Sequence, residues 1–585
     1  MRTTPCLVSS LLITALGLSA PSPLPAQRSA VEAGHGMVVS VQELASHAGV
    51  EILQKGGNAV DAAVATGFAL AVVYPWAGNL GGGGFMLIHL ADGRDVAIDY
   101  RETAPAAASR NMYLDPEGNV RKGPGSSTVG WRASGVPGTV AGFALAFEKY
   151  GSGKVTWADV LEPARRLAAE GHIITQYNAS RAHYVARLLS QFPESKRIYL
   201  KDGAFWQPGD RWVRPELAAT LTRLQQKGPR EFYEGETAQK IAAAMTENGG
   251  TITLADLQAY RAIERVPARA AYRGHEIVTM PPPSSGGITL LQMFAMLEPF
   301  DLHALGAASS AKYHLMTEVM RRAYRDRAEY LGDPAFVKVP AAGMLDRAYL
   351  AGLMKNFDPQ KATPSEGLAP GKPAAGESTE TTHFSVADAA GNAVGNTYTL
   401  NGGYGSGVTI PGTGFLMNNE MDDFAAKPGT PNMFKLIQGE ADAIAPGKRP
   451  LSSMSPTFVL KDGKVVLITG SPGGSTISNT VLCVVTNFID HGMPVAQAVN
   501  APRIHHQWLP DVINYEPYGL AEDVITALQA KGHTLATRDA DGPGQNVPLI
   551  ELYQGDAESL AIDPRTHLLM GAADSRKPDA KAVGY

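Results

Sequence analysis

Residues 377–400 read ESTETTHFSVADAAGNAVGNTYTL. Two threonines, Thr381 and Thr382, open a strand-like run directly after a stretch of small and polar residues. A threonine hydroxyl is a weak nucleophile unless a base stands beside it. One available base is the residue's own α-amino group, which is free only if the chain is cut just before it. A free α-amino group has a pKa of about 7.7–8.0, so part of it is neutral near pH 7. Cleavage between Glu380 and Thr381 would therefore give Thr381 its own proton acceptor. Threonine is also a common strand former, and on this stretch alone an ordinary strand start is the simpler reading.

The surrounding elements decide what these hydroxyls can reach. Phe384 and Val386 fall on one strand face, and Thr381, His383 and Ser385 on the other. The segment DAAGN is a turn signal, and AVGNTYTL is the return strand. Antiparallel pairing across that turn sets Thr399 beside Thr381 or Thr382. The hairpin thus returns a third threonine hydroxyl to the start of the first strand. Upstream, residues 358–380 mix Pro, Gly, Ala and charge without an apolar period, and read as a flexible linker. Such a linker would let the Glu380–Thr381 bond reach an attackable geometry and let the cut end move away.

Elsewhere the chain alternates helix and strand signals. VQELASHAGVEILQKGG reads as an amphipathic helix stopped by Gly56-Gly57. Asn58, with Asp61 three residues on, caps a helix that is apolar nearly all round, which predicts a buried core helix. The glycine run at 81–84 leads into a strand over 85–90, and the chain returns over 96–100. The run lacks the Lys-Ser/Thr of a phosphate loop, so close backbone packing is the better reason for its glycines. Residues 137–350 read as mainly helical, with a capped start at Thr253 and a rigid turn, MPPPSSGG, at 280–287. A strand at 464–470 and a helix near 475–490 follow.

Composition excludes several classes. The 585 residues are 44% hydrophobic and 18% charged with a net charge of −5, which is the balance of a globular protein. Lys and Arg occur in scattered doublets such as Arg165-Arg166 and Arg321-Arg322, so no basic stripe points to nucleic acid. Residues 1–26 carry Arg2, the apolar run LVSSLLITALGLSA and a small-residue end near Ala26, the pattern of a secretory signal peptide. The apolar run falls short of the roughly 20 residues a membrane span needs. Cys6 lies within that segment, which leaves Cys483 alone and no internal disulfide. Export without disulfides fits a bacterial periplasm or the medium.

The run TTHFSVAD, GNAV and TYTLN, followed by NNEMDDF, KRPLSSMSPT and TGSPGGS, closely resembles the gamma-glutamyltranspeptidases, which are N-terminal nucleophile hydrolases. The likeness also covers GGGGFMLI, IDYRETAP, PGTVAGF, MPPPSSGG, EYLGDP and NAPRIHHQWLPD, in matching order from about residue 34 onward. Several motifs in one order are more specific than any one of them. The resemblance implies an α+β fold, a four-layer αββα sandwich. It implies a zymogen cut into a large subunit, 27–380, and a small catalytic subunit, 381–585, which together form one fold. It also implies transfer of a γ-glutamyl group from glutathione or a related amide to water or to an amino-acid or dipeptide amine, without metal or cofactor.

Residue roles follow from the same resemblance. Thr381 matches the nucleophile and Thr399 the threonine that positions it. Gly473 and Gly474 match the oxyanion-hole glycines. A γ-glutamyl donor carries a free carboxylate and a free ammonium at one end. Arg101 matches the arginine for that carboxylate, a pairing suited to guanidinium because it donates two parallel hydrogen bonds. Ser452 and Ser453 match serines on the same carboxylate. Glu420 and Asp423 match the acids on the ammonium, with Asn401 adding a polar contact. KPGTPNMFKLIQG resembles the lid loop of bacterial members, with Phe434 where several relatives have tyrosine, and is expected to open more readily for want of that hydroxyl. His505-His506 does not read as a metal site, because adjacent histidines project in different directions. The rival readings are a glutaryl-cleaving cephalosporin acylase of the same family and an exported homologue that binds amino acids without turnover.

Overall fold

A computed structural model describes residues 29–371, 382–537 and 553–585. The expected signal peptide, Glu380 and Thr381 lie outside the described residues.

Two seven-stranded sheets form the centre, and every neighbouring pair within them is antiparallel. One runs in the order Lys581–Gly584, Gly36–Ser40, Thr382–Asp388, Ala393–Thr399, Gly83–His89, Asp95–Asp99, Ile263–Arg265. The other runs Val31–Ala33, Leu569–Ala572, Ser559–Ile562, Lys464–Thr469, Thr457–Lys461, His275–Thr279, Ala268–Tyr272.

Strand alternation builds the layers. In Gly36–Ser40, Met37 and Val39 pack between the sheets, while Val38 packs toward the helices. In Gly83–His89, Phe85 and Leu87 face inward, and Met86 and Ile88 face the helices. A one-residue slip would exchange the two faces, so this pattern fixes the register. Helices Glu43–Gln54, Ala59–Val73 and Thr139–Tyr150 cover the first sheet. Helices Ser285–Leu297, Ser310–Tyr330 and Ile477–Ile489 cover the second. The result is the αββα sandwich. Every residue of Ala59–Val73 is buried, as its all-round apolar sequence requires, and Asn58 with Asp61 forms its capping box.

Residues 137–350 are mainly helical, as the sequence reads, but the stretch also holds strands that the sequence reading did not single out. Ile263–Arg265, Ala268–Tyr272 and His275–Thr279 are strands. Ala and Arg favour helix locally, but Arg273-Gly274 makes a tight turn with φ of 49° and 71°, and the hairpin then joins the edge of the second sheet. The described part of the 358–380 segment is held rather than free of contacts. Thr363 N–H donates to Glu318 Oε1 at 3.1 Å, Ser365 N–H to Asp511 Oδ2 at 2.8 Å, and Gly371 N–H to Asp326 Oδ1 at 3.0 Å. Glu318 and Asp326 both belong to helix Ser310–Tyr330. Among the described residues no helix is long and apolar enough to cross a membrane.

Candidate active site

The hairpin register runs from Thr382 opposite Tyr398 to Ala387 opposite Ala393. Thr399 stands one position beyond the partner of Thr382 and pairs with Gly83. It is buried, its hydroxyl oxygen accepts Asn401 N–H at 2.8 Å, and its carbonyl accepts Asn79 Nδ2 at 2.8 Å. Asn401 adopts a left-handed φ of 73°, which asparagine tolerates better than most side chains. The glycine run is a packing device here. A Cβ on Gly82 would sit 1.9 Å from the Thr399 carbonyl oxygen, and one on Gly81 2.2 Å from that of Leu416.

Behind the strand start runs a buried polar seam between the sheets. His383 Nδ1 lies 2.9 Å from Thr397 Oγ1, and Nε2 lies 3.0 Å from Ser385 Oγ. Ser385 Oγ donates to the Glu558 carbonyl at 2.7 Å, so it must accept from His383 Nε2–H. Burial pushes His383 down to about 3, which keeps the ring neutral. Gly470 closes on this ring, since a Cβ there would lie 2.4 Å from Nδ1. Three residues on, Gly473 takes φ 126° and Gly474 φ 67°. Thr476 donates to the Gly473 carbonyl from both N–H, at 3.1 Å, and Oγ1, at 2.7 Å. This bend leads into helix Ile477–Ile489.

The second group of residues gathers around Arg101, at the end of strand Asp95–Asp99. Arg101 is fully buried, pairs with Glu420 through Nη1, and meets Asp423 Oδ2 at 2.5 Å through Nη2. Its Nε and Nη2 also donate to the carbonyls of Pro450 and Leu451, each at 3.3 Å, directly before Ser452 and Ser453. The turn Glu420–Asp423 presents the two acids together. Ser452 is fixed by the 280–287 segment: its N–H donates to the Pro283 carbonyl at 3.1 Å, and its carbonyl accepts Ser285 N–H at 2.8 Å. A Cβ on Gly286 would fall 2.2 Å from the Ser453 carbonyl oxygen, which explains that glycine. Glu420 Oε2, Asp423 Oδ1, Ser453 Oγ, Asn401 Oδ1 and Thr382 Oγ1 are buried and have no hydrogen-bond partner. Four of these five belong to residues the sequence assigns to the site.

Sequence reasoning passed over Glu102, Asn419 and Asp422, although each lies inside a quoted motif. Glu102 is fully buried, with Oε2 3.7 Å from Arg101 Nη1. Burial pushes its carboxyl up to about 7, against a smaller downward pull from Arg101. Burial likewise raises Glu420 well above the carboxylate range and Asp422 to about 6. The folded state therefore holds the Glu102 proton more tightly than the unfolded chain, whose value is 4.5. That contribution to stability is full below about pH 4.5 and is lost as pH rises through about 7. Glu102→Gln is expected to flatten this part of the stability curve, read as urea midpoints across that window against wild type.

Asp422 holds the loop over 427–439: its carboxylate accepts Ser127 Oγ at 2.7 Å and Met433 N–H at 3.0 Å. The lid group beside Asn401 Nδ2 is Met433 Sδ, at 3.8 Å, which the focus on Phe434 did not anticipate. His505 and His506 turn to different partners, Asn479 at 2.7 Å and Asp511 at 3.1 Å.

Comparison with known proteins identifies the family. A family profile described as Gamma-glutamyltranspeptidase matches residues 45–584. The glutathione hydrolase proenzyme of Escherichia coli (strain K12) is 48% identical over 95% of this chain and 93% of its own length. Among solved structures, a cephalosporin acylase from Bacillus halodurans superposes with a TM-score of 0.83 at 27% identity, over 97% of this chain and 99% of that one. The gamma-glutamyltranspeptidase of Helicobacter pylori gives 0.55 at 42% identity, over 60% of this chain and 97% of that one. With a sandwich of the N-terminal nucleophile type and a profile match spanning nearly its whole length, the chain belongs to the gamma-glutamyltranspeptidase family, an enzyme family with hydrolase and transferase activity.

Proposed function

We propose that Thr381 performs both self-cleavage and γ-glutamyl transfer. In the first step its hydroxyl attacks the Glu380 carbonyl, the acyl group passes from nitrogen to oxygen, and water cleaves the ester. The freed α-amino group then takes the proton of the Thr381 hydroxyl as that oxygen attacks the γ-amide of glutathione or a related donor. The amine leaves, a γ-glutamyl ester remains, and water or an amino-acid or dipeptide amine releases it. Nucleophile, base and oxyanion donors are all groups of the chain, so the route calls for no cofactor.

The observation that carries this reading is the Arg101 cluster. One guanidinium faces Glu420 and Asp423, whose outer oxygens, like Ser453 Oγ and Asn401 Oδ1, are buried without a hydrogen-bond partner. Those acceptors suit an ammonium, and the serine hydroxyls beside Arg101 suit a carboxylate. Gly473 and Gly474 supply backbone N–H groups for the tetrahedral oxyanion, each such donor being worth about 3 kcal/mol in the transition state. Thr399 positions the nucleophile. The pattern of residues 1–26 supports export to the periplasm or medium.

A glutaryl group lacks the ammonium and has little use for these acids. The test compares γ-glutamyl-p-nitroanilide with glutaryl-p-nitroanilide, each with and without glycylglycine. The expected result is γ-glutamyl turnover accelerated by glycylglycine, with the glutaryl analogue at least about a hundredfold slower, because it leaves buried polar groups unpaired. Faster glutaryl cleavage would move the chain to the acylase reading.

A further inference from the structure

The lid carries one methionine whose surroundings set it apart. Among the described methionines Met433 alone is well exposed, at 44%, while Met354, Met493 and Met570 are half-buried and the others are buried. Its Sδ lies 3.8 Å from Asn401 Nδ2 and 3.9 Å from Asn419 Nδ2. Each amide already spends one hydrogen elsewhere. Asn401 Nδ2 donates to the Asn419 carbonyl at 3.0 Å, and Asn419 Nδ2 to the Thr128 carbonyl at 3.1 Å. The second hydrogen of each is directed at the thioether, which is a weak acceptor. The rest of the lid is anchored through stronger bonds: Met433 N–H to Asp422 Oδ2 at 3.0 Å, Gln438 Nε2 to the Asp423 carbonyl at 2.8 Å, and Gln507 Nε2 to the Lys435 carbonyl at 3.1 Å. The weakest link between lid and site is thus the one solvent can reach.

We propose that Met433 is an oxidation site through which a peroxide changes the balance between transfer and hydrolysis. The sulfur lone pair attacks the terminal peroxide oxygen, an S–O bond forms as the O–O bond breaks, and the alcohol or water derived from the peroxide leaves. Sulfur loses two electrons, the peroxide gains them, and the product is methionine sulfoxide. The sulfoxide oxygen is a strong acceptor placed between two amide donors that lack a good one. It pins the lid over Asn401 and Asn419. A closed lid excludes a dipeptide acceptor more than it excludes water, so transfer falls relative to hydrolysis. This inference rests on the proposed placing of substrate beside Asn401.

The experiment uses the processed enzyme treated with dilute hydrogen peroxide. Peptide mapping is expected to find one added oxygen at Met433 before any buried methionine. The ratio of glycylglycine transfer to hydrolysis of γ-glutamyl-p-nitroanilide should fall about fivefold, the scale of one strengthened hydrogen bond. Methionine sulfoxide reductases acting on both epimers should restore it. Met433→Leu should show a ratio that peroxide does not move. The inference fails if the ratio holds with Met433 fully oxidised, if Met433→Leu responds equally, or if buried methionines oxidise first. Donor turnover by untreated enzyme is measured beforehand: its absence would sink the functional reading of the site, while peptide mapping still decides the order of oxidation.

Discussion

Replacing Thr381 by alanine is expected to leave the chain in one piece and without activity. Both steps of the proposed route pass through the same hydroxyl. Without it no ester forms before the cut, and no α-amino group appears at position 381. Denaturing electrophoresis should show one band at full-chain mass where wild type shows two, and γ-glutamyl-p-nitroanilide turnover should fall at least about a thousandfold. Thr381→Ser keeps a hydroxyl and should still be cut, more slowly, with N-terminal sequencing of the smaller fragment beginning at residue 381. A cut Thr381→Ala chain would refute self-cleavage by this residue. Residual turnover near wild type would refute its role as nucleophile.

The second large effect is expected at Arg101. Its guanidinium is the cation that faces Glu420 and Asp423, with Glu102 at 3.7 Å, and all four side chains are fully buried. Arg101→Met leaves the carboxylates in a dry environment without that charge. Breaking a buried pair in this way typically costs about 3–5 kcal/mol. The urea midpoint should drop accordingly. The sign of its pH dependence is fixed: carboxyls lacking a cation bind protons more tightly in the folded state, so the deficit shrinks as pH falls. Turnover of the γ-glutamyl donor should fall at least about a hundredfold at neutral pH, because the proposed donor site loses the cation that holds Glu420 and Asp423 together. A variant as stable as wild type would show that Arg101 is not what holds the acids. A stable but inactive one would separate recognition from structure.

Local signals in the sequence carried the hairpin well. Period-two alternation in THFSVAD and the turn residues of DAAGN are short-range patterns, and they put Thr399 at the hairpin mouth within one residue. The caps at Asn58 and Thr253 are equally local and appear with both halves of the capping box. What escaped was tertiary. Arg101 and Glu420 are 319 residues apart, and nothing local says that they meet directly. The strands over 263–279 are written in Ala and Arg, and sheet pairing overrides that preference. Met433 was passed over because a lone methionine in a polar loop carries no pattern. Its meaning depends on two amides supplied by Asn401 and Asn419. Family likeness supplied the roles proposed for Gly473, Gly474, Ser452 and Ser453, and spacing alone would not have singled them out.

Both sheets draw strands from either side of position 381. In the first, Lys581–Gly584 lies next to Gly36–Ser40, which in turn lies next to Thr382–Asp388; in the second, Val31–Ala33 borders Leu569–Ala572, and Thr457–Lys461 borders His275–Thr279. A break in the backbone there would leave two polypeptides woven through one another. Dilution could not part them, because separation would mean unzipping both ladders and flooding the sandwich with water. Maturation in such an architecture changes the number of chain ends while the body stays whole, and either piece made alone would present unpaired edges to every other copy in the cell.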